Sequence, residues 1–436
     1  MESTIWFIVG VVALIVGLGI SIGLHEWGHF YPAKKFGVGI TKFMVGFGPT
    51  IWSTQRGETE FGIKAVPLGG YVAMHGMFAP SESGPRRGGA GTDFAGLDDS
   101  KDPDAFDDSR SFYRLSVLKR ITVMLGGPFM NLVIAIVLYA VLLMGFGVVQ
   151  PSLTVGSVSE CVLPATETRT ECRPDDPAAP GNQAGLEPGD VILALDGTEV
   201  LGWLELTEII RANPGESLPM VIERDGTTRT VRITPLLTER YAIDSRGQVA
   251  VDSNGDPITE AVGFVGIGAA LETARQPITQ VPVAVWDNVV GVTRIIFTLP
   301  QRMVQVAQAA FGDDERDPNG PISVVGVGRI AGEIASIDDI DQSDRVASFL
   351  ALLASLNIAL FVFNLIPLLP LDGGHVAVAL IDGVRRKVAS IRGSPPPRPT
   401  DPQKLMPLTL VVIAALVSMS VLLMYADIVN PISLVQ

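Results

Sequence analysis

The chain has 436 residues, of which 47% are hydrophobic and only 18% charged. Soluble domains carry about a quarter charged residues, so this balance leans toward a membrane protein. The formal net charge is -14 and no basic stripe interleaved with aromatics occurs, which argues against nucleic acid as a partner. Only two cysteines, Cys161 and Cys172, are present, so a Cys-cluster metal site is excluded and any zinc must use His and carboxylate.

The first apolar run, Ile5 to Leu24, is long enough for a bilayer core that needs roughly 20 residues. It lacks a basic start and a small-x-small site, so it reads as a span and not as a cleaved leader. Lys34 and Lys35 follow it, which places residue 1 outside and Lys34 in the cytoplasm. At its inner end stands His25-Glu26-Trp27-Gly28-His29. On a helix, positions i and i+4 share a face, so both imidazoles reach one ion. Glu26 beside them can take a proton from water that zinc has acidified. Ionisable groups at a span's end are costly and default to function; an interfacial anchor is the plain alternative.

Residues 40–74 alternate Gly, aromatic and β-branched residues around turn signals. Thr59 to Val66 and Tyr71 to Met74 read as short strands, predicting a small β-hairpin region. His75, a lone histidine, stays outside the zinc site. Ser81 to Asp108, rich in Gly, Asp and Ser, reads as an inserted cytoplasmic loop of linker character. The second span, Val117 to Val149, is entered through Leu125-Gly126-Gly127-Pro128 and flanked by Lys119 and Arg120.

The segment 150–345 is poorer in Lys and Arg and holds both cysteines, which suits the exterior and permits a Cys161–Cys172 disulfide. Within it, residues 152–237 resemble a PDZ domain, most closely in Gln183-Ala184-Gly185-Leu186-Glu187-Pro188-Gly189-Asp190 and the strand that follows. Asp196-Gly197 suits a tight hairpin turn. Peptide capture on a sheet edge and filtering of substrates by size are both open as its role. Val281 to Leu299 is apolar but carries Asp287, Asn288 and Arg294, so it reads as an amphipathic helix on the outer membrane surface.

The run from Val346 to Leu371 is interrupted by Pro367 and Pro370 and followed by Asp372-Gly373-Gly374. The prolines break the helix and free backbone to turn Asp372 inward, which makes it the best third zinc ligand; a helix-ending Asp-Gly turn is the plain alternative. Parity ties this to topology. Asp372 shares a face of the membrane with His25 only if 281–299 does not cross. Arg385, Arg386, Lys387 and Arg392 then lie inside, the Pro-rich stretch 393–402 is a cytoplasmic spacer, and Leu408 to Tyr425 returns outward.

Together His25 to His29 and Leu371-Asp372-Gly373 resemble the two signatures of the site-2 protease family of intramembrane zinc metalloproteases, in its bacterial RseP-like branch. Gly46-Phe47-Gly48-Pro49, Pro67-Leu68-Gly69-Gly70-Tyr71, Gly126-Gly127-Pro128 and Gly320-Pro321-Ile322-Ser323 are similar to that branch too. The resemblance implies Zn2+ held by His25, His29 and Asp372, Glu26 as general base, and Asn364 as an aid to substrate or oxyanion binding. It implies a β element beside the active site, and transmembrane substrates such as anti-sigma factors, with remnant signal peptides as a further class. Where many members carry two PDZ domains, space here allows one.

The expected fold is a polytopic α-helical membrane protein with four transmembrane helices, a membrane-associated β-hairpin region and one extracytoplasmic PDZ-like α+β domain. The expected divisions are 1–30, first span; 31–116, cytoplasmic hairpin and loop; 117–149, second span; 150–265, PDZ-like domain; and 266–345, surface helix region. The rest divides into 346–380, third span; 381–404, Pro-rich loop; 405–427, fourth span; and 428–436, outer tail. The expected location is a bacterial cytoplasmic membrane, with both termini outside and the lipid bilayer as a constant partner. Two rivals compete: a non-catalytic PDZ scaffold, and a zinc protease of soluble substrates with Glu58, Glu60 or Glu82 as third ligand.

Overall fold

The computed structural model describes residues 2–77, 107–165, 167, 169, 171–243, 249–252, 257–312, 316–317, 320–337, 341–395, 397, 399–400 and 405–432. Most of the expected Ser81–Asp108 loop therefore lies outside the described residues, as do parts of the Pro-rich stretch and the tail. The chain forms two compact units, one of residues 1–146 and 277–436, the other of residues 147–276.

The first unit is helical. Its elements are α1 (Glu2–Lys35), α2 (Val117–Ala140, running on as a π-turn to Phe146), α5 (Gln280–Phe311), α6 (Val324–Ser336), α7 (Gln342–Asn364), α8 (Asp372–Ile391) and α9 (Met406–Val429). Two short helices in the other unit, α3 (Pro180–Gln183) and α4 (Trp203–Ala212), complete the numbering. Among the described residues, five helices are long and apolar enough to cross a membrane: α1, α2, α5, α7 and α9. That is one more than the four expected. The addition is α5, whose helix runs past Leu299 to Phe311.

Helix α5 is tied at both ends. Near its start, Asn288 Nδ2 donates to Tyr139 Oη at 2.8 Å, in the last turns of α2, and reaches Ser355 Oγ of α7 at 3.4 Å. Near its end, Val306 and Ala310 pack with Leu423 and Ala426, and Asn430 Nδ2 donates to the Ala309 carbonyl at the C-terminus of α9. Helix α6 is capped by Ser323, whose Oγ accepts from Val325 N and Gly326 N. The Ser323 amide donates to Asp427 Oδ2 at 2.6 Å, and Asp427 pairs with the buried Arg316 at 2.5 Å. Further on, Gly332 packs against Phe7 of α1.

Between α1 and α2 lies an antiparallel sheet of two long bent strands, β1 (Ile40–Arg56) and β2 (Thr59–Met74). Each strand folds on itself. Phe43 has both Phe61 and Val72 as neighbours, while Gln55 pairs only with Glu60. The segment order across the sheet is therefore 50–56, 59–66, 40–47, 70–74. The two strands read from sequence are present, and the extended 40–56 stretch supplies the rest. Phe30 of α1 meets Phe43 and Phe61 edge to face and binds the sheet to the helix. At the opposite end, Ile51, Trp52 and Ile63 stay exposed.

The second unit is a β-structure. Strands β3 (Val148–Val158), β4 (Val191–Leu195), β5 (Thr198–Glu199), β6 (Leu218–Arg224), β7 (Thr227–Ile233) and β10 (Ile267–Ala274) form one sheet in the order β10-β3-β4-β6-β7, with β5 on β4. Strands β8 (Leu236–Tyr241) and β9 (Thr259–Phe264) pair separately. Asp196 and Asp225 have φ of 50° and precede Gly197 and Gly226, so both hairpins close through Asp-Gly turns. Ile192, Leu195, Met220 and Ile222 pack beneath Leu206 of α4. Arg224 clamps the buried Asp190 with Nε and Nη2 at 2.6 and 2.8 Å. Strand β10, which sequence reading grouped with the helix after it, pairs with β3. A disulfide joins Cys161 and Cys172.

The sheet of the first unit is locked to α1 at its turn. Glu58 accepts a two-pronged bond from Arg110, at 2.8 and 2.9 Å, and pairs with Lys34 at the end of α1. The Arg110 bonds hold its carboxyl at about 2, below the ordinary 4.5. A depressed carboxylate stabilises the fold above its unfolded pKa, and that contribution fades as pH falls from about 4.5 to about 2. Glu58→Gln should speed hydrogen exchange of amides in 40–74 at pH 7. Wild type should approach the variant toward pH 2; equal exchange in the two proteins at pH 7 would contradict the lock.

Candidate metal centre

Three donor atoms meet in the first unit. His25 Nε2 and His29 Nε2 lie 3.2 Å apart, and Asp372 Oδ2 lies 3.4 Å from the first and 3.3 Å from the second. These three side chains form the metal-competent cluster found among the described residues. Four tetrahedral bonds of about 2.0–2.1 Å set a zinc ion's donors roughly 3.3–3.4 Å apart. The triangle has that edge. Asp372 Oδ2 is buried and, among the described residues, accepts no hydrogen bond, which suits an atom reserved for a cation.

Local sequence explains the convergence. His25 and His29 project from one face of α1, one turn apart. Their neighbour across the helix crossing is the Gly126-Gly127 pair of α2. A Cβ on Gly28 or on Gly126 would overlap the other's carbonyl, so the two backbones touch only because both are glycine. A Cβ on Gly127 would strike Nε2 of both histidines, so this glycine leaves room for the donors and whatever they hold. Asp372 opens the first turn of α8. Helix α7 ends at Asn364, and the chain folds back through 365–371 so tightly that a Cβ on Gly373 or Gly374 would overlap Leu365, Ile366 or Leu368 backbone. Pro367 and Pro370 stop α7, and the glycines admit the return.

Both rings are held from behind. His29 Nδ1 lies 2.8 Å from the Val123 carbonyl, so Nδ1 carries the proton and Nε2 presents its lone pair to the triangle. His25 Nδ1 lies 3.0 Å from the side-chain amide of Asn131, which is wholly buried. With that amide turned so that Oδ1 faces the ring, His25 takes the same tautomer. Neither partner was found by sequence reasoning. Asn131 had a signal, a lone amide in an apolar span three residues after Pro128; a backbone carbonyl such as that of Val123 has none.

Glu26 is buried beside the histidines. Gly70 of β2 packs onto it: a Cβ there would lie 2.8 Å from Glu26 Cγ and 3.1 Å from Oε1. The sheet thus reaches the carboxylate through a position that only glycine can fill. Asn364 is half-buried at the end of α7, and among the described residues no hydrogen bond joins it to the triangle. His75 follows β2 and stands outside the cluster. Of the rival third ligands, Glu58 is engaged by Arg110 and Lys34, Glu60 is not part of the donor cluster, and Glu82 lies outside the described residues.

Comparison with known proteins gives a consistent relationship. The family model for Peptidase family M50 matches residues 13–394. Zinc metalloprotease Rip1 of Mycobacterium tuberculosis is 36% identical over 99% of this chain and 100% of its own length. Metalloprotease MmpA of Caulobacter vibrioides is 27% identical over 88% of this chain and 89% of its own. Zinc metalloprotease RasP of Oceanobacillus iheyensis is 27% identical over 86% and 91%. With a full-length relative above 30% identity and a family match over most of its residues, this chain belongs to Peptidase family M50, the site-2 protease family.

Proposed function

We propose that this protein is an intramembrane zinc metalloprotease that hydrolyses peptide bonds within transmembrane segments of other proteins. The observation that carries this is the His25, His29 and Asp372 triangle, which has the edge length of a tetrahedral zinc site and stands at the end of an apolar helix. The names of the relatives, zinc metalloproteases, support the same reading.

In this reading His25, His29 and Asp372 hold Zn2+. When bound, the ion supplies Lewis acidity that polarises a carbonyl and acidifies water. Val123 and Asn131 keep each imidazole's Nε2 turned to the site. Glu26 takes a proton from the attacking water on a carboxylate oxygen and returns it to the departing amide nitrogen, the usual duty of a general base that becomes an acid. Asn364 is assigned to substrate or oxyanion binding. A helical substrate hides its carbonyls in its own hydrogen bonds, so it must be unwound. An open edge of the β1–β2 sheet offers backbone groups to the extended segment, near Glu26.

The chain is a multi-pass membrane protein, and we assign it four crossings, with both termini outside a bacterial cytoplasmic membrane. Helix α5 then stays on the outer side. Its two ends are tied to the C-terminal ends of α2 and α9, which face the same side when α1, α2, α7 and α9 alternate. The residue 150–265 region is assigned as a PDZ-like domain, supported by its two Asp-Gly hairpins and its α4-capped sheet. Anti-sigma factors and remnant signal peptides are the assigned substrate classes.

Glu26→Gln should retain zinc yet lower cleavage of a tagged transmembrane substrate by about 10²–10⁴-fold in purified full-length protein. Cleavage at wild-type rate would remove Glu26 from the mechanism. Topology has its own test. Single cysteines at Gln276 and Asp317, on either side of α5, should both react with an impermeant maleimide from outside intact cells. Labelling of only one would mean that α5 crosses.

A further inference from the structure

A small cavity is lined by Tyr113, Arg120, Leu369, His375, Asp382 and Thr400, with His375 one turn along α8 from Asp372. Arg120 enters it from the first turn of α2 and is only 5% exposed. Its Nη1 donates to Asp382 Oδ2 at 3.1 Å. Its Nε and Nη2, the adjacent pair on the other edge of the guanidinium, are buried and have no partner among the described residues. That edge is the two-donor fork that matches the two oxygens of a carboxylate. Leaving it empty in a buried place is costly, so the site is built to receive an acceptor.

The surrounding charges favour an anion. Asp382 is already covered, because Thr400 donates to Oδ1 from its amide at 2.9 Å and from its hydroxyl at 2.6 Å, in addition to Arg120. Arg385 Nη1 stands 3.9 Å from the same oxygen. Two guanidiniums against one carboxylate leave the cluster with a net positive charge. The Tyr113 hydroxyl is spent on Asp108 and does not compete for the fork. His375 lies three residues beyond Asp372 on the same helix, a rise of about 4.5 Å, so one lining residue of the cavity stands a single turn from a donor of the triangle.

We propose that the Arg120 fork is a receptor for the carboxylate that peptide hydrolysis creates, holding the new C-terminus of one product as it leaves the metal centre. This rests on the protease reading above. Hydrolysis adds water across the amide, so one product carries a carboxylate and the other an amine; only the former fits two N–H donors. Arg120 is on this view a product-binding residue. A terminal carboxylate and an acidic side chain share the chemistry, and the proposal commits to the first.

The test uses the full-length protein in detergent and three fluorescent peptides ending at the cleavage site of a model substrate. One has a free C-terminal acid, one a C-terminal amide, and one an amide with an aspartate as its last residue. Anisotropy should show the acid binding about ten-fold or more tighter than either amide. Arg120→Lys, which keeps the charge opposite Asp382 but loses the fork, should shrink that preference to about two-fold or less. Equal binding of acid and amide by wild type would overturn the proposal, as would equal binding of the aspartate amide and the acid. If Arg120→Lys fails to fold, a photo-reactive group on the last residue of the acid must label residues 113–120 or 369–382 of wild type; labelling elsewhere would overturn the assignment. Binding is read without cleavage, so a failed receptor and a failed protease give different results.

Discussion

Three electron-pair donors crowded within 3.4 Å of one another, inside a largely apolar bundle, are the feature around which the first unit is arranged. Left alone, two imidazole nitrogens and a carboxylate oxygen gain little from such closeness and lose their hydration. A divalent cation at their centre reverses that balance. The supporting parts follow from the need to hold the donors there. Glycines let α1 and α2 touch, prolines and glycines turn α8 back on α7, and buried hydrogen bonds fix the histidine tautomers.

The same economy appears in how polar groups are spread through the helices. Asn357 of α7 is wholly buried and donates to Ser21 of α1 at 3.0 Å, one turn from His25. Arg316 with Asp427 joins the Gly320–Ser323 turn to α9, and Arg120 with Asp382 joins α2 to α8. Each pair joins elements that lie far apart in the chain, and each would be expensive to separate in an apolar setting. Helix positions set by such pairs do not slide as readily as those set by packing alone, which suits a site that needs donors from two helices in register.

Much of the site was legible because its chemistry is local. His25, Glu26 and His29 share one helical turn, and Asp372 betrays itself by following two prolines at the end of an apolar run. The tertiary supports were not legible. Asn131 is near in space to His25 and remote in sequence, and Val123 acts through its backbone. In the fold, the Asp-Gly hairpins of the second unit were readable from turn chemistry. The doubled course of β1 and β2 was not, because its register comes from long-range pairing. The apolar pattern marks Val281 to Leu299, yet helix α5 carries Pro300 in its interior and continues to Phe311.

Zinc K-edge absorption of the purified full-length protein, recorded beside Asp372→Ala, addresses the metal centre most directly. One zinc per chain is expected in wild type, with two imidazole nitrogens and oxygen donors at about 2.0–2.1 Å. The variant should lose stoichiometric metal. Retention of a full zinc complement with an unchanged coordination shell in Asp372→Ala, or a wild-type protein that binds none, would contradict the account.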